Sequence, residues 1–440
     1  MAHENLLYYG DNLDVLRRHV ADASVDLVYL DPPFNSAQNY NVLFKERNGT
    51  EPAAQIRAFE DTWRRDQAAA QIRAFEDTWR WDQAAARAYQ EIVEGGGKAA
   101  QAMIAFHSCL GANDMLAYLA MMAPRLVELR RVLKGTGSIW LHCDPTAGHY
   151  LKILMDAVFG AANFVNEIIW RRTTSHTTTT RSCGRITDTI LFFSKSSKYR
   201  FNPPRGDHDE HYVKRFYRHS DKDGRRYRLH LVERNNALGA RKNLIYEYKG
   251  YTPRLGWMME REKLQQLDEQ GKLQWSSRGR PVRKIYLDEV ARPPLGNLWA
   301  DIPPIQAQSA ERLGYPTQKP EALLERIIRA GSSEGDLVLD PFCGCGTTLA
   351  VAQRLNRRWI GMDITQLAIN LIKRRLHDSF GKNAAFKVIG EGLAKHHTRS
   401  PVCPCSSVLV RVRPSHAQVE PAKEPISQDP RIGKPTAKKG

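Results

Sequence analysis

No stretch of these 440 residues reaches the roughly 18 consecutive apolar positions that a membrane helix needs, and the first residues carry no apolar signal-peptide core. A soluble, cytoplasmic protein with no membrane partner is expected. Cysteine is scarce: seven in a chain this long make no disulfide framework. Cys343/Cys345 and Cys403/Cys405 are C-x-C rather than C-x-x-C pairs without a matching His/Cys cluster, so no zinc or other metal site is expected. Acid is in short supply too, with 48 Asp+Glu against 65 Lys+Arg. The net charge of +17 suits a polyanionic partner such as nucleic acid. The rest of the composition is ordinary for a globular protein, and the length allows one large domain with an insertion, or two domains.

Both ends of the chain alternate strands with helices, which argues for an open α/β sheet. "LLYYGDNLDVLRRHV" gives a short strand ending at Gly10-Asp11, then an amphipathic helix through Leu13, Val15 and Leu16. Residues 114–133 predict a helix kinked or broken at Pro124 and ended by Gly135 and Gly137. "SIWLHCD" (138–144) predicts a buried strand whose last residues, His142 and Asp144, read as a solvated strand end. "HYLKILMDAVF" predicts a helix, and "FVNEIIW" and "DTILFFSK" two strands around a Ser/Thr-rich loop holding His176, which reads as exposed rather than catalytic. The alternation resumes at 321 with "EALLERIIRAG", "DLVLD", "TTLAVAQRLN", "RWIGMD" and "QLAINLIKRRL".

Two segments break the pattern. "QIRAFEDTWR" occurs at 55–64 and again at 71–80. An offset of 16 residues turns a helix by roughly 160° beyond whole turns, so both copies cannot pack on one core face, and a tandem duplication is expected. Residues 200–298 hold 22 Lys+Arg and 13 Asp+Glu, placing +9 of the net charge in under a quarter of the chain. Aromatics are interleaved there: Phe201, Tyr212, Phe216, Tyr217, Tyr227, Tyr246, Tyr248, Tyr251, Trp257, Trp275 and Tyr286. Such side chains together can track phosphates and stack on bases, and nucleic-acid contact is favoured over a solvated α+β insert.

Two constellations carry chemistry. "VDLVYLDPPFN" (25–35) is an apolar run that stops on an acid, two prolines and an aromatic ring. Proline fixes its own φ, donates no hydrogen bond and restrains the residue before it. Asp31, Pro32, Pro33 and Phe34 therefore make a stiff, donor-poor corner, either a plain turn or a pocket of acceptors. "LVLDPFCGCGTTLAVA" (337–352) runs from a strand through a glycine turn into a helix, presenting backbone to a ligand. A dinucleotide fingerprint would need a third glycine where Leu349 stands, which counts against a nicotinamide oxidoreductase. Asp363 ends the next strand 17 residues after Gly346, where an acid can accept from ribose hydroxyls. A mononucleoside-like cofactor fits this pattern.

"DPPF", "YPTQKPEALLERII" and "DPFCGCGTT", in that order, resemble the DNA amino-methyltransferases that use S-adenosylmethionine. The catalytic motif ahead of the cofactor motif resembles their beta group, and "GD" at 10–11, "SIWLHCD" and "NLWADIP" resemble further segments of it. The likeness covers about residues 5–390. It implies a Rossmann-like α/β methyltransferase sheet, circularly permuted in motif order, with an inserted target-recognition region. The corresponding division is a catalytic half at 1–199, the basic insert at 200–298, a cofactor half at 299–392 and a disordered basic tail at 393–440.

The resemblance also implies roles. Asp31 and the Pro32 carbonyl would accept the two hydrogens of an exocyclic amine, Pro33 would stiffen the corner, and Phe34 would stack on a base turned out of the duplex. Asp340, Phe342, Gly344, Gly346, Thr347 and Thr348 would surround the methionine part of the cofactor, with Asp363 at the ribose and Asp11 near the adenine ring. Thr317, Gln318 and Lys319 would approach the methionine carboxylate. DPPF implies adenine, because the amino-cytosine enzymes of this group more often begin the motif with serine. The implied function is a site-specific adenine DNA methyltransferase. Its alternatives are cytosine-N4 methylation and a catalytically inactive DNA-binding relative, the duplication lying close to the catalytic corner. Double-stranded DNA is the implied partner, and the family admits a homodimer and a restriction endonuclease beside it.

Overall fold

Every residue of β2 (Val25–Leu30) is buried, and its side chains alternate between two different cores. Val28 and Leu30 face one, Leu27 and Tyr29 the other, as expected of a strand covered by helices on both faces. The computed structural model describes residues 4–33, 80–173, 183–276, 279–306, 308–315, 317–381 and 384–390. Phe34, nearly all of the duplicated segment, His176 and the basic tail lie outside them.

Besides β2, the described strands are β1 (Asn5–Tyr9), β3 (Leu133–Cys143), β4 (Phe164–Arg171), β5 (Thr187–Ser194), β6 (His219–Ser220), β7 (Arg226–Leu231), β8 (Leu273–Trp275), β9 (Pro281–Tyr286), β10 (Leu298–Trp299), β11 (Leu337–Asp340), β12 (Arg358–Asp363) and β13 (Phe386–Gly390). Nine form one sheet in the order β10–β4–β5–β3–β2–β11–β12–β1–β13. Every neighbouring pair is parallel except those made by β5. One face carries α1 (Asn12–His19), α2 (Gln83–Glu94), α3 (Gly97–Leu110), α4 (Asp114–Val132) and α5 (Gly148–Phe159). The other carries α8 (Glu321–Gly331), α9 (Thr347–Arg354) and α10 (Gln366–Phe380). The expected open, Rossmann-like α/β sheet is therefore present, covered by helices on both faces and assembled from chain on both sides of the basic insert. Within that insert, α6 (Glu210–Phe216) and α7 (Arg261–Glu269) accompany a separate antiparallel sheet, β6–β7–β9–β8. No helix among the described residues is long and apolar enough to cross a membrane.

Two local expectations are corrected. α4 runs unbroken through Pro124, because buried Leu116, Leu119, Met122, Leu126 and Leu129 pin it to the sheet on both sides of the proline. Gly135 and Gly137 end no helix: β3 begins directly at Leu133, and the glycines fall where its register with β2 shifts. Helices α2 and α3 drew no expectation from the sequence at all.

Candidate functional site

Because β1, β2, β3, β11 and β12 run parallel, their carboxyl ends share one edge of the sheet. Each of these strands ends on an aspartate or within two residues of one: Asp11, Asp31, Asp144, Asp340 and Asp363. The chain leaves β2 toward β3 and leaves β11 toward β12, in opposite directions along the sheet. That reversal leaves a crevice above the strand ends, the usual ligand position in open α/β sheets. A cleft opens there. Asp31, Pro32, Pro33, Thr317, Gln318 and Lys319 line it from the corner after β2 and the loop before α8. Asp340, Phe342, Gly344, Thr347, Thr348 and Asp363 line it from the β11–β12 region, together with Tyr315. The structure thus brings together the two constellations that lie some 300 residues apart in the chain. Asp11 and Gly346 are not among the lining residues, and Phe34 lies outside the described residues.

The glycine turn is built for close approach. Gly346 caps α9 in the left-handed region at φ +76°, and Gly344 sits at φ +50°. A Cβ on Gly344 would lie 3.1 Å from the Tyr315 ring, so a side chain there would crowd the cleft. Leu349 occupies the position of the missing third glycine. Its Cδ1 lies 2.5 Å from where a Cβ on Gly361 would be. The close helix–strand contact is made with the glycine on β12 instead of on the helix.

Arg375 on α10, which the sequence did not single out, fixes this turn from below. Its buried guanidinium donates to Thr347 Oγ1 at 3.0 Å, to the Cys345 carbonyl at 3.3 Å and to Glu321 Oε1 at 2.6 Å. A buried cation that joins a helix start to a ligand turn is costly to interrupt, since removing it leaves Glu321 short of a partner. Arg375→Met is expected to cost about 3 kcal/mol, read as a lower urea midpoint at unchanged slope.

The electrostatics of the cleft are unusual. Asp340 is 2% exposed, and burial pushes its carboxyl up to about 7 against hydrogen bonds from Thr348 and the Phe342 amide. Burial also raises Asp363 to about 6, although it accepts from the Thr365 amide and hydroxyl and from the Gly344 amide. Asp31 meets a cation instead: Lys319 Nζ lies 2.5 Å from its Oδ2. Lys319 is the only cation among the described residues of the lining, set against three carboxylates.

Other expected residues do structural work here. Asp11 caps α1 through the Leu13 amide at 2.7 Å and pairs with Arg125 Nη2 at 2.8 Å. Gln318 pins its own loop, accepting from the Leu313 amide and donating to the Glu311 carbonyl. Asp144 accepts from the Thr146 and Ala147 amides at the start of α5. The solvated strand end expected at His142 is wrong. His142 is fully buried between Tyr29 Oη at 3.1 Å and Asp188 Oδ2 at 3.1 Å, and Arg172 meets the far oxygen of Asp188 at 3.2 Å. Antiparallel β5 brings Asp188 there, a strand direction that local sequence does not encode.

In the basic insert the expected role of several aromatics is corrected, while Phe201 and Phe216 remain exposed. Tyr217, Tyr227, Trp257 and Tyr286 are buried rather than offered to bases, and Tyr246, Tyr248 and Tyr251 pack around Trp257. Several cations there are already paired: Arg225 with Asp288 and Glu289, Lys284 with Asp221, Lys249 with Asp268, and Arg280 with Glu233. The aromatic interleaving builds the small core of an α+β insert.

A family model described as DNA methylase matches residues 25–374. Among curated proteins, Type II methyltransferase M.EcaI of Enterobacter cloacae is 34% identical over 277 residues, 62% of this chain and 59% of that protein. The Mod subunit of the Type III restriction-modification enzyme StyLTI of Salmonella typhimurium is 26% identical over 417 residues, 90% of this chain and 56% of that protein. DNA adenine methyltransferase YhdJ of Escherichia coli is 51% identical over 81 residues, 18% of this chain and 27% of that protein. This chain thus spans less than three-fifths of the length of these relatives. A solved structure, a putative DNA modification methylase of Thermus thermophilus, covers 88% of this chain and 99% of its own at 17% identity and a TM-score of 0.40.

Proposed function

This chain belongs to the DNA methylase family, and from that premise we propose that it methylates the exocyclic amino group of adenine in double-stranded DNA, with S-adenosylmethionine as donor. The observation that carries the reading is the charge of the cleft. Three carboxylates facing one lysine suit a ligand with two positive groups and one negative end. They would repel the diphosphate of a nicotinamide cofactor. S-adenosylmethionine, with its sulfonium, ammonium and carboxylate, has that pattern. In this reading Asp340 and the Gly344 turn hold the amino-acid part, with Phe342, Thr347, Thr348 and Gly346 shaping it. Asp363 takes the ribose, Lys319 and Thr317 take the carboxylate, and Asp11 stabilises the β1–α1 turn near the adenine ring.

When bound, the donor supplies a methyl on sulfonium, so the N–C bond formed is matched by the S–C bond broken and sulfur keeps the electron pair. The chain's own residues position the acceptor. Asp31 and the Pro32 carbonyl accept the two amino hydrogens and hold the nitrogen in line for attack, while Pro33 keeps the corner stiff. The motif assigns Phe34 the stacking contact with the extruded base. The amine gives its surplus proton to water, so no general base is needed. We further propose that the chain forms a homodimer and works beside a cognate restriction endonuclease.

Incubation of the protein with donor and unmethylated genomic DNA, followed by nucleoside mass spectrometry, tests this. N6-methyladenine is expected. N4-methylcytosine would overturn the choice of base, and retained cofactor binding with neither product would favour an inactive DNA-binding relative.

A further inference from the structure

We propose that Lys319 is a two-position switch that keeps Asp31 occupied until the cofactor cleft is filled. The inference rests on the cofactor reading above. Lys319 Nζ lies 2.5 Å from Asp31 Oδ2 and 3.3 Å from the Thr317 carbonyl. Its side chain lines the cofactor cleft and also a second, wider cleft. That cleft is walled by Asp144, Trp170, Arg172, Arg185 and Asp188, beside the ends of β3, β4 and β5. The lysine therefore stands at the junction of two chambers, on the carboxylate that the target amine must reach.

An ammonium in that place competes with the amine. Either donor makes a charge-assisted bond to the Asp31 carboxylate, but only the ammonium adds the attraction of a full positive charge, so an amino N–H does not displace Lys319 unaided. A filled cofactor cleft changes the balance. It offers Nζ a second carboxylate and brings positive charge close to Asp31 in place of the departing ammonium. The backbone need not move for this. Thr317 is held at φ +59°, the Gln318 side chain bonds Leu313 and Glu311, and Glu311 Oε2 accepts from the Glu321 amide at 2.9 Å. The loop is pegged, and the flexible four-carbon stem of lysine supplies the reach. The result is an order of events: cofactor first, base second. A base extruded by donor-free protein finds its acceptor taken.

The test is isothermal calorimetry of S-adenosylhomocysteine on the full chain as wild type, Asp31→Asn, Lys319→Met and the double variant. This ligand lacks the sulfonium, so losing the Asp31 charge removes no attraction to it. Asp31→Asn frees Lys319 and is expected to tighten binding at least about fivefold, the lower end of ordinary coupling between linked sites. Lys319→Met is expected to weaken binding, and Asp31→Asn should then change nothing in the Lys319→Met background. Asp31→Ala repeats the comparison with a smaller side chain, with thermal melts confirming that each variant is folded. Equal affinity in wild type and Asp31→Asn, or the same tightening in both backgrounds, would overturn the switch and leave the cofactor reading standing. Absence of binding to the wild type would overturn both.

Discussion

Asp31→Ala is expected to lower methyl transfer to DNA by about 10³-fold while S-adenosylhomocysteine still binds. Two effects combine in the loss. The first is an acceptor aimed at the amine, whose removal costs on the order of 10² to 10³ in comparable preorganised sites. The second is alignment, because the Pro32 carbonyl alone leaves the nitrogen free to turn out of line, and small misplacements of a reacting atom are costly. The corner itself should persist. Its stiffness comes from Pro32 and Pro33, and the strand behind it is buried along its whole length. Single-turnover rates with saturating cofactor provide the measurement. A rate within tenfold of wild type would remove Asp31 from the chemistry.

The second large effect concerns pH and Asp340. With Asp340 raised to about 7 and Asp363 to about 6, the cofactor-free cleft is partly protonated near neutrality, and a cationic ligand binds the ionised form. Donor affinity should therefore rise with pH, by about tenfold per unit below 7 and more steeply below 6, and then level off above 8. Binding should release protons, visible as a buffer-dependent heat. Asp340→Asn is expected to remove the step near 7 and to weaken donor binding roughly 50-fold, about the worth of a hydrogen bond to a charged group.

Stability should move the other way. The Asp340 carboxyl titrates higher in the folded chain than its ordinary 3.8. Its stabilising contribution is present below the unfolded value and is lost as pH rises through about 7. A shift of that size corresponds to at most about 4 kcal/mol. Cofactor-free Asp340→Asn should therefore melt higher than wild type at pH 8, with the difference gone at pH 4. A variant that melts lower at pH 8 would contradict the buried-acid account.

Much of this was legible because strong local signals agreed. The apolar run before Asp31 and the strand–turn–helix at 337–352 are encoded within short windows, and the sheet places both at one crevice. What escaped the sequence depends on partners that are distant in it. Pro124 reads as a break until the helix around it is packed. His142 reads as exposed until β5 runs back across β3 and delivers Asp188. Arg375 lies about 30 residues from the turn it holds, with no motif to announce it. The tyrosines of the insert look like a stacking surface in one dimension. In three, Tyr227 sits directly across from Tyr286 on paired strands and the two close a core.

The pairing of β1 has a consequence for how the protein is made. The described partners of this first strand are β12 and β13, with Leu6 opposite Ile360 and Leu7 opposite Gly361. On the ribosome it therefore waits for more than 350 residues of synthesis before it can be completed. β2 likewise lacks its β11 edge until residue 338 has emerged. A chain with such remote pairings closes late and slowly. Truncated or stalled products would hold an open sheet edge, and the acceptor corner would stand with only one of its two walls. Under the proposed function, the nascent chain would therefore be inert toward DNA until β11 and β12 have joined the sheet.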